Sequence, residues 1–115
     1  MIAGGMDALL QADGVKELYD LFAEGCIKSY RFDPREKKSM YSPTVLRQVR
    51  SFIKEYGLDD AKKIIDTMFG YVHNGRERGK VVGVSIFSTA WRWYANNLLT
   101  EALANEAEVA DWKKW

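Results

Sequence analysis

Arg47, Arg50 and Lys54 are spaced three and four residues apart, so a helix through them carries all three cations on one face. Guanidinium and ammonium groups in a row suit the binding of phosphates. Such binding would be mainly electrostatic and would weaken steeply with salt. Lys28, Arg31, Arg35, Lys37, Lys38, Arg76, Arg78 and Lys80 lie in the segments to either side. They would widen the surface if the fold gathers them. An amphipathic helix also carries charge on its solvent side for no further reason, so the stripe has a plain reading beside the functional one. The distribution of charge gives the functional reading its basis. The chain is +1 overall, but residues 1–27 carry −4, residues 28–80 carry +6 and residues 81–115 carry −1.

A second group is Trp91, Trp93 and Tyr94, with Arg92 among them. Aromatic rings can stack on unpaired bases or anchor a protein partner, and core packing is their plainer role. A helix places Trp91 and Trp93 about 200° apart, so at least one must meet another layer, a partner or solvent. Trp112 and Trp115, in a charged C-terminal stretch, are further partner-binding candidates unless they fold back on the core. Asn96 and Asn97 could read adenine edges, although helical Asn is also an ordinary surface or interhelical residue.

Other reactive groups do not assemble into a pattern. Cys26 is the single cysteine and His73 the single histidine, so no intrachain disulfide is possible. The usual structural zinc site needs about four Cys or His ligands. Cys26 falls on an apolar helical stripe and reads as a core thiol. His73 suits a helix C-terminus better than catalysis. Asp59 and Asp60 are accounted for by helix capping, and the glycines fit neither the Walker nor the dinucleotide spacing. The expectation is therefore a protein that is not an enzyme and needs no metal and no cofactor. No apolar run is long enough to span a bilayer, and Met1–Met6 lacks the features of a signal peptide, so a cytoplasmic protein without membrane contact is expected. Met6 is an alternative start, which would make residues 1–5 an appended leftover.

Helices must position these groups. Asp13 can cap a helix to about Ala23, with Val15, Leu18, Tyr19, Phe22 and Cys26 inward and Gly25 as its terminator. Residues 28–41 read as a charged loop, broken at Pro34 and pinned by Tyr30, Phe32, Met40 and Tyr41. Ser42 and Pro43 then open a helix whose apolar stripe is Val45, Leu46, Val49, Phe52, Ile53 and Tyr56, closed by Gly57. Asp59 can cap the next helix, with Ala61, Ile64, Ile65, Met68, Phe69 and Val72 inward, ending at Asn74-Gly75. Residues 81–84 are a short extended segment leading to a last helix over about 86–104, capped by Ser85. Its apolar residues cover most of its circumference, which suggests a central helix. Residues 105–115 either extend that helix or fray. The sum is an all-α chain, a compact bundle of about four to five helices in one domain over 1–115.

Residues 42–104 resemble the C-terminal helical domain of DnaD-like replication-accessory proteins of phages and bacteria. The resemblance is carried by the helix Thr44–Tyr56, the link Gly57-Leu58-Asp59-Asp60, the following helix to Phe69, and the aromatic segment Ser85–Tyr94. It implies a part in DNA binding and helicase loading, with DNA contacts near Trp91–Tyr94. Where that family continues into a Lys/Gly-rich stretch, Asn96–Ala104 here is neutral to acidic. Three functions are then expected in order. The first is a non-catalytic nucleic-acid-binding or DNA-replication accessory module, phage-encoded by analogy. Its contacts would be Arg47, Arg50, Lys54, Lys37, Lys38, Arg76, Arg78 and Lys80. The second is a regulator or inhibitor of a host or replication protein, anchored by Trp91, Trp93, Trp112 and Trp115. The third is a self-associating module, a homo-oligomer built on the last helix.

Overall fold

A computed structural model of the chain describes residues 2–12, 14–73 and 83–104; of residues 2–5 and 73 it describes the backbone alone. The described residues form an all-α bundle. Its helices are α1 (Ile2–Leu10), α2 (Val15–Tyr30), α3 (Pro43–Tyr56), α4 (Leu58–His73) and α5 (Arg92–Ala104). Three 3-10 turns, Pro34–Glu36, Val84–Phe87 and Thr89–Trp91, join them, and no strand occurs among the described residues.

The α3 helix is built as its sequence dictates. Ser42 is extended, and its Oγ accepts a hydrogen bond from the Val45 N–H at 3.3 Å, while Pro43 fills the first helical position. Val45, Leu46, Val49 and Phe52 are buried. Gly57 sits at φ 82°, where a side chain would be strained, and its N–H donates to the Ile53 carbonyl at 2.7 Å. The Gly57 carbonyl in turn accepts from the Ala61 N–H at 2.9 Å, so one residue ends α3 and starts α4. Asp59 therefore lies inside the first turn of α4 rather than capping it, and with Asp60 it faces the positive end of the helix dipole.

The structure differs from the sequence reading at four further places. First, α1 is an element that the apolar pattern does not announce. Met6, Leu9 and Leu10 pack against the core, chiefly beside α3. Second, α2 does not stop at Ala23. It opens at Gly14 in the left-handed conformation without a side-chain cap (Asp13 lies outside the described residues) and continues through Gly25 to Tyr30. A Cβ on Gly25 would lie 2.2 Å from Cε2 of Phe69, so this glycine lets α4 approach closely and terminates nothing. Arg31, at φ 63°, ends the helix. The loop expected over 28–41 thus loses its first three residues to α2 and runs from Arg31 to Ser42. Within it Asp33 caps the turn Pro34–Glu36 by accepting from the Arg35 N–H at 2.9 Å.

Third, the last helix begins at Arg92, not near Ile86, and Ser85 does not cap it. Ser85 and Ser88 instead belong to the 3-10 turns, where the Ser88 hydroxyl donates to the Ser85 carbonyl at 2.7 Å. These turns drive Phe87 into the centre of the molecule. Its ring lies 5.2 Å from Phe22 and 5.4 Å from Phe52, both edge-on. Gly83 is extended and Val84 is already in the turn, while Val81 and Val82 lie outside the described residues. Fourth, the central helix is α4, not α5. It packs against α2, α3 and α5 and buries Ala61, Ile64, Ile65, Met68 and Phe69. α5 buries one side only: Tyr94, Ala95, Leu98 and Ala102. No helix among the described residues is long and apolar enough to cross a membrane.

Candidate nucleic-acid interface

Arg47, Arg50 and Lys54 are all exposed on the outer side of α3. At about 1.5 Å per residue the three span roughly 10 Å of helix axis. Thr44, Ser51 and Glu55 share the exposed surface of this helix, and no aromatic ring does. The stripe lacks counter-charges, a property it shares among the described residues with Arg31, Lys37 and Lys38. Neither arginine nor Lys54 forms an ion pair among the described residues.

Several other bases are neutralised by acids. Lys16 bonds Asp20 at 2.6 Å, Arg35 reaches Asp20 at 3.3 Å and Asp33 at 2.9 Å, and Lys62 pairs with Glu17. The electrostatics follow this geometry. The hydrogen bond from Arg35 holds the Asp33 carboxyl below the usual carboxylate range. The same contact raises the Arg35 guanidinium, and the Asp20 contact raises the Lys16 ammonium. Arg35 is thus withdrawn from the basic surface that its sequence position suggests. Lys37 and Lys38 are exposed a few residues before α3, with the Lys37 ammonium 5.5 Å from the centre of the Phe32 ring. Arg76, Arg78 and Lys80 lie outside the described residues, as do Trp112 and Trp115.

The aromatic group divides around Tyr94. Tyr94 is buried, and Trp91 and Trp93 flank it with ring centroids 5.6 and 5.8 Å away. Both tryptophans reach solvent, Trp91 at 36% exposure and Trp93 at 63%. The turn Thr89–Trp91 and the start of α5 make this possible, because the two residues are not on one continuous α-helix. Arg92 between them turns inward. Its guanidinium lies 5.0 Å from the Phe52 ring centre, 5.9 Å from that of Tyr56 and 3.6 Å from a Glu55 carboxylate oxygen. The Tyr56 hydroxyl donates to Oδ1 of Asn96 at 2.6 Å, and burial beside Glu55 pushes that phenol up to about 12. Asn96 is therefore an interhelical residue. The α5 N-terminus docks on the Phe52–Tyr56 side of α3, about 200° around the helix from Lys54. The side of α3 that receives the α5 N-terminus is thus not the side that carries the basic stripe.

Sequence reasoning missed Arg92 as a structural group. The sequence places it among the aromatics without a role, and only the approach of the α5 N-terminus to α3 reveals the aromatic bed that receives it. The remaining reactive groups stay apart. Cys26 is buried, and desolvation, reinforced by the charge of Asp33, pushes its thiol up to about 12. That suppresses the thiolate required of a nucleophile. An open depression between α1 and α2 is lined by Leu10, Ala12, Gly14, Lys16, Glu17 and Asp20. Its charged groups are committed to the Lys16–Asp20 and Lys62–Glu17 pairs. Among the described residues no three His, Cys, Asp or Glu side chains gather to hold a metal ion. No protein-family model, curated protein or solved structure matches the chain.

Proposed function

We propose that the protein is a non-catalytic nucleic-acid-binding module whose α3 outer face contacts the phosphate backbone of a duplex. The supporting observation is the exposed row Arg47, Arg50 and Lys54, without acidic partners among the described residues. Lys37 and Lys38, exposed a few residues before α3, are further phosphate contacts in this reading. The absence of an exposed ring on this face favours backbone contact over stacking on single strands. A DNA-replication accessory role, of the kind carried by phages, is the cellular function that the resemblance of residues 42–104 implies, and a cytoplasmic location is part of this proposal.

Fluorescence anisotropy with labelled double- and single-stranded DNA tests the reading. Three phosphate contacts correspond to a salt slope of about −2.7, or roughly a 40-fold loss of affinity between 50 and 200 mM salt. The triple charge reversal Arg47→Glu, Arg50→Glu, Lys54→Glu should abolish binding with helicity unchanged. Absence of binding at low salt refutes the proposal.

The exposure of Trp91 and Trp93 favours a second reading, a regulator of a host or replication protein anchored by these rings, with Trp112 and Trp115 as further anchors. It expects little DNA affinity, one saturable protein partner, and loss of that partner on truncation before Asp111.

A further inference from the structure

The outward side of α5 has no charge. Trp93, Asn96, Asn97, Thr100, Leu103 and Ala104 are its exposed residues. The two charged side chains of the helix are engaged elsewhere: Arg92 lies on Phe52 and Tyr56, and Glu101 accepts from the Tyr71 hydroxyl. Two large apolar groups mark the ends of this face, Trp93 at 63% exposure and Leu103 at 56%. α5 is the reverse of α3, whose outer row of three cations would repel a copy of itself.

We propose that this face is a two-fold interface with a second copy of the same chain, the two α5 helices running antiparallel. A two-fold contact sets one patch against itself, so a charge near the axis would meet its like; this face has none. The residue pattern also closes on itself in one register. Antiparallel pairing that sets Trp93 against Leu103 of the second copy also sets Asn96 against Thr100, since both pairs share one midpoint. Donors and acceptors match there. The Asn96 Oδ1 is occupied by the Tyr56 hydroxyl, which leaves its amide N–H groups to donate. The Thr100 hydroxyl spends its proton on the Asn96 carbonyl of its own helix at 2.9 Å, which leaves its oxygen to accept. The central polar pair is satisfied twice by symmetry, and each tryptophan covers a leucine. The contact is small. A 13-residue helix is about 20 Å long and covers less than the roughly 800 Å² per partner of a standard interface. A contact of this size belongs with the weak, transient interfaces, and a dissociation constant of roughly 10 to 100 µM is the working value for the test.

Sedimentation equilibrium of the full chain from about 5 to 500 µM, bracketing that constant, tests the proposal. The expected result is a monomer–dimer equilibrium. Trp93→Glu and Leu103→Glu should each weaken it at least tenfold, with circular dichroism unchanged. Lys54→Glu on α3 should leave it intact. The double variant W93E/L103K should regain association, because the register places the new acid against the new base. A monomer at every concentration overturns the proposal and leaves the face to a different protein. A dimer indifferent to both Trp93→Glu and Leu103→Glu overturns it as well. Both residues are exposed, so if one variant fails to fold the other still decides.

Discussion

Gly25→Ala sets two energies of opposite sign against each other. In an isolated helix the substitution would stabilise by about 1 kcal/mol, because glycine is among the weakest helix formers. In this protein the new methyl would lie 2.2, 2.4 and 2.5 Å from Cε2, Cδ2 and Cζ of Phe69. Carbon atoms rest at about 3.5–4.0 Å, so the ring or the helix must yield by more than about 1 Å. The ring has little room: Phe69 is fully buried, and Phe22 lies 6.0 Å away, centre to centre. Overpacking of this kind costs about 1–3 kcal/mol, and a shortfall this large belongs at the upper end. The expected net effect is a loss of roughly 1–2 kcal/mol. At about 2.1 cal/mol/K per residue over 115 residues, 1 kcal/mol shifts the melting temperature by about 4 °C, so the midpoint should fall by roughly 4–8 °C. Thermal unfolding followed by circular dichroism measures the midpoint, and urea unfolding the free-energy loss. The mechanism is checked in a Phe69→Leu background, where the shorter side chain leaves space and Gly25→Ala should become neutral or stabilising. A rise in stability from Gly25→Ala alone, or an equal loss in both backgrounds, would refute the close-approach explanation.

Single replacements on α3 should act as counterion-release terms. Arg47→Ala, Arg50→Ala and Lys54→Ala should each flatten the salt slope of duplex binding by about 0.9, measured by anisotropy at several salt concentrations. Ser42→Ala removes the hydroxyl that accepts from Val45 and should cost about 1 kcal/mol in urea unfolding, with duplex affinity unchanged at temperatures where the variant is folded. The Cys26 thiol has a raised pKa of about 12 in the folded chain, against about 8.5 when unfolded. Its contribution is therefore complete below pH 8.5 and declines as pH rises. By pH 9.5 it should have lost on the order of 1 kcal/mol relative to pH 7, and the Cys26→Ala variant should lack that portion of the decline. Asp33 has the opposite sign. Its carboxyl is lowered by Arg35, so its stabilising effect is present above its unfolded value near 4 and disappears in acid. Asp33→Asn should narrow the stability difference between pH 7 and pH 3 by less than about 1 kcal/mol, the range of a surface pair.

Local signals determined a large part of this molecule. Ser42, Pro43 and Gly57 set both ends of α3, because capping and left-handed backbone are properties of single residues and their nearest neighbours. The period of apolar residues gave the buried faces of α2, α3 and α4, and the same period placed Arg47, Arg50 and Lys54 on one exposed row. Tertiary structure decided what a local pattern cannot hold. Gly25 looks like a helix stop until Phe69 comes across from α4, residues far apart in the chain and less than a methyl group apart in space. Arg92 has no role legible in the sequence until Phe52 and Tyr56 receive it. Ile86 and Phe87 look helical until the core draws them inward through 3-10 turns. Whether a base is free or neutralised is likewise a fact of distance: Arg35 has Asp20 and Asp33 within reach, and the α3 row has no such acids among the described residues. The sequence assigns each side chain its charge and its helix face, whereas only packing sets the distances that decide which charges are spent inside the fold and which remain for a partner.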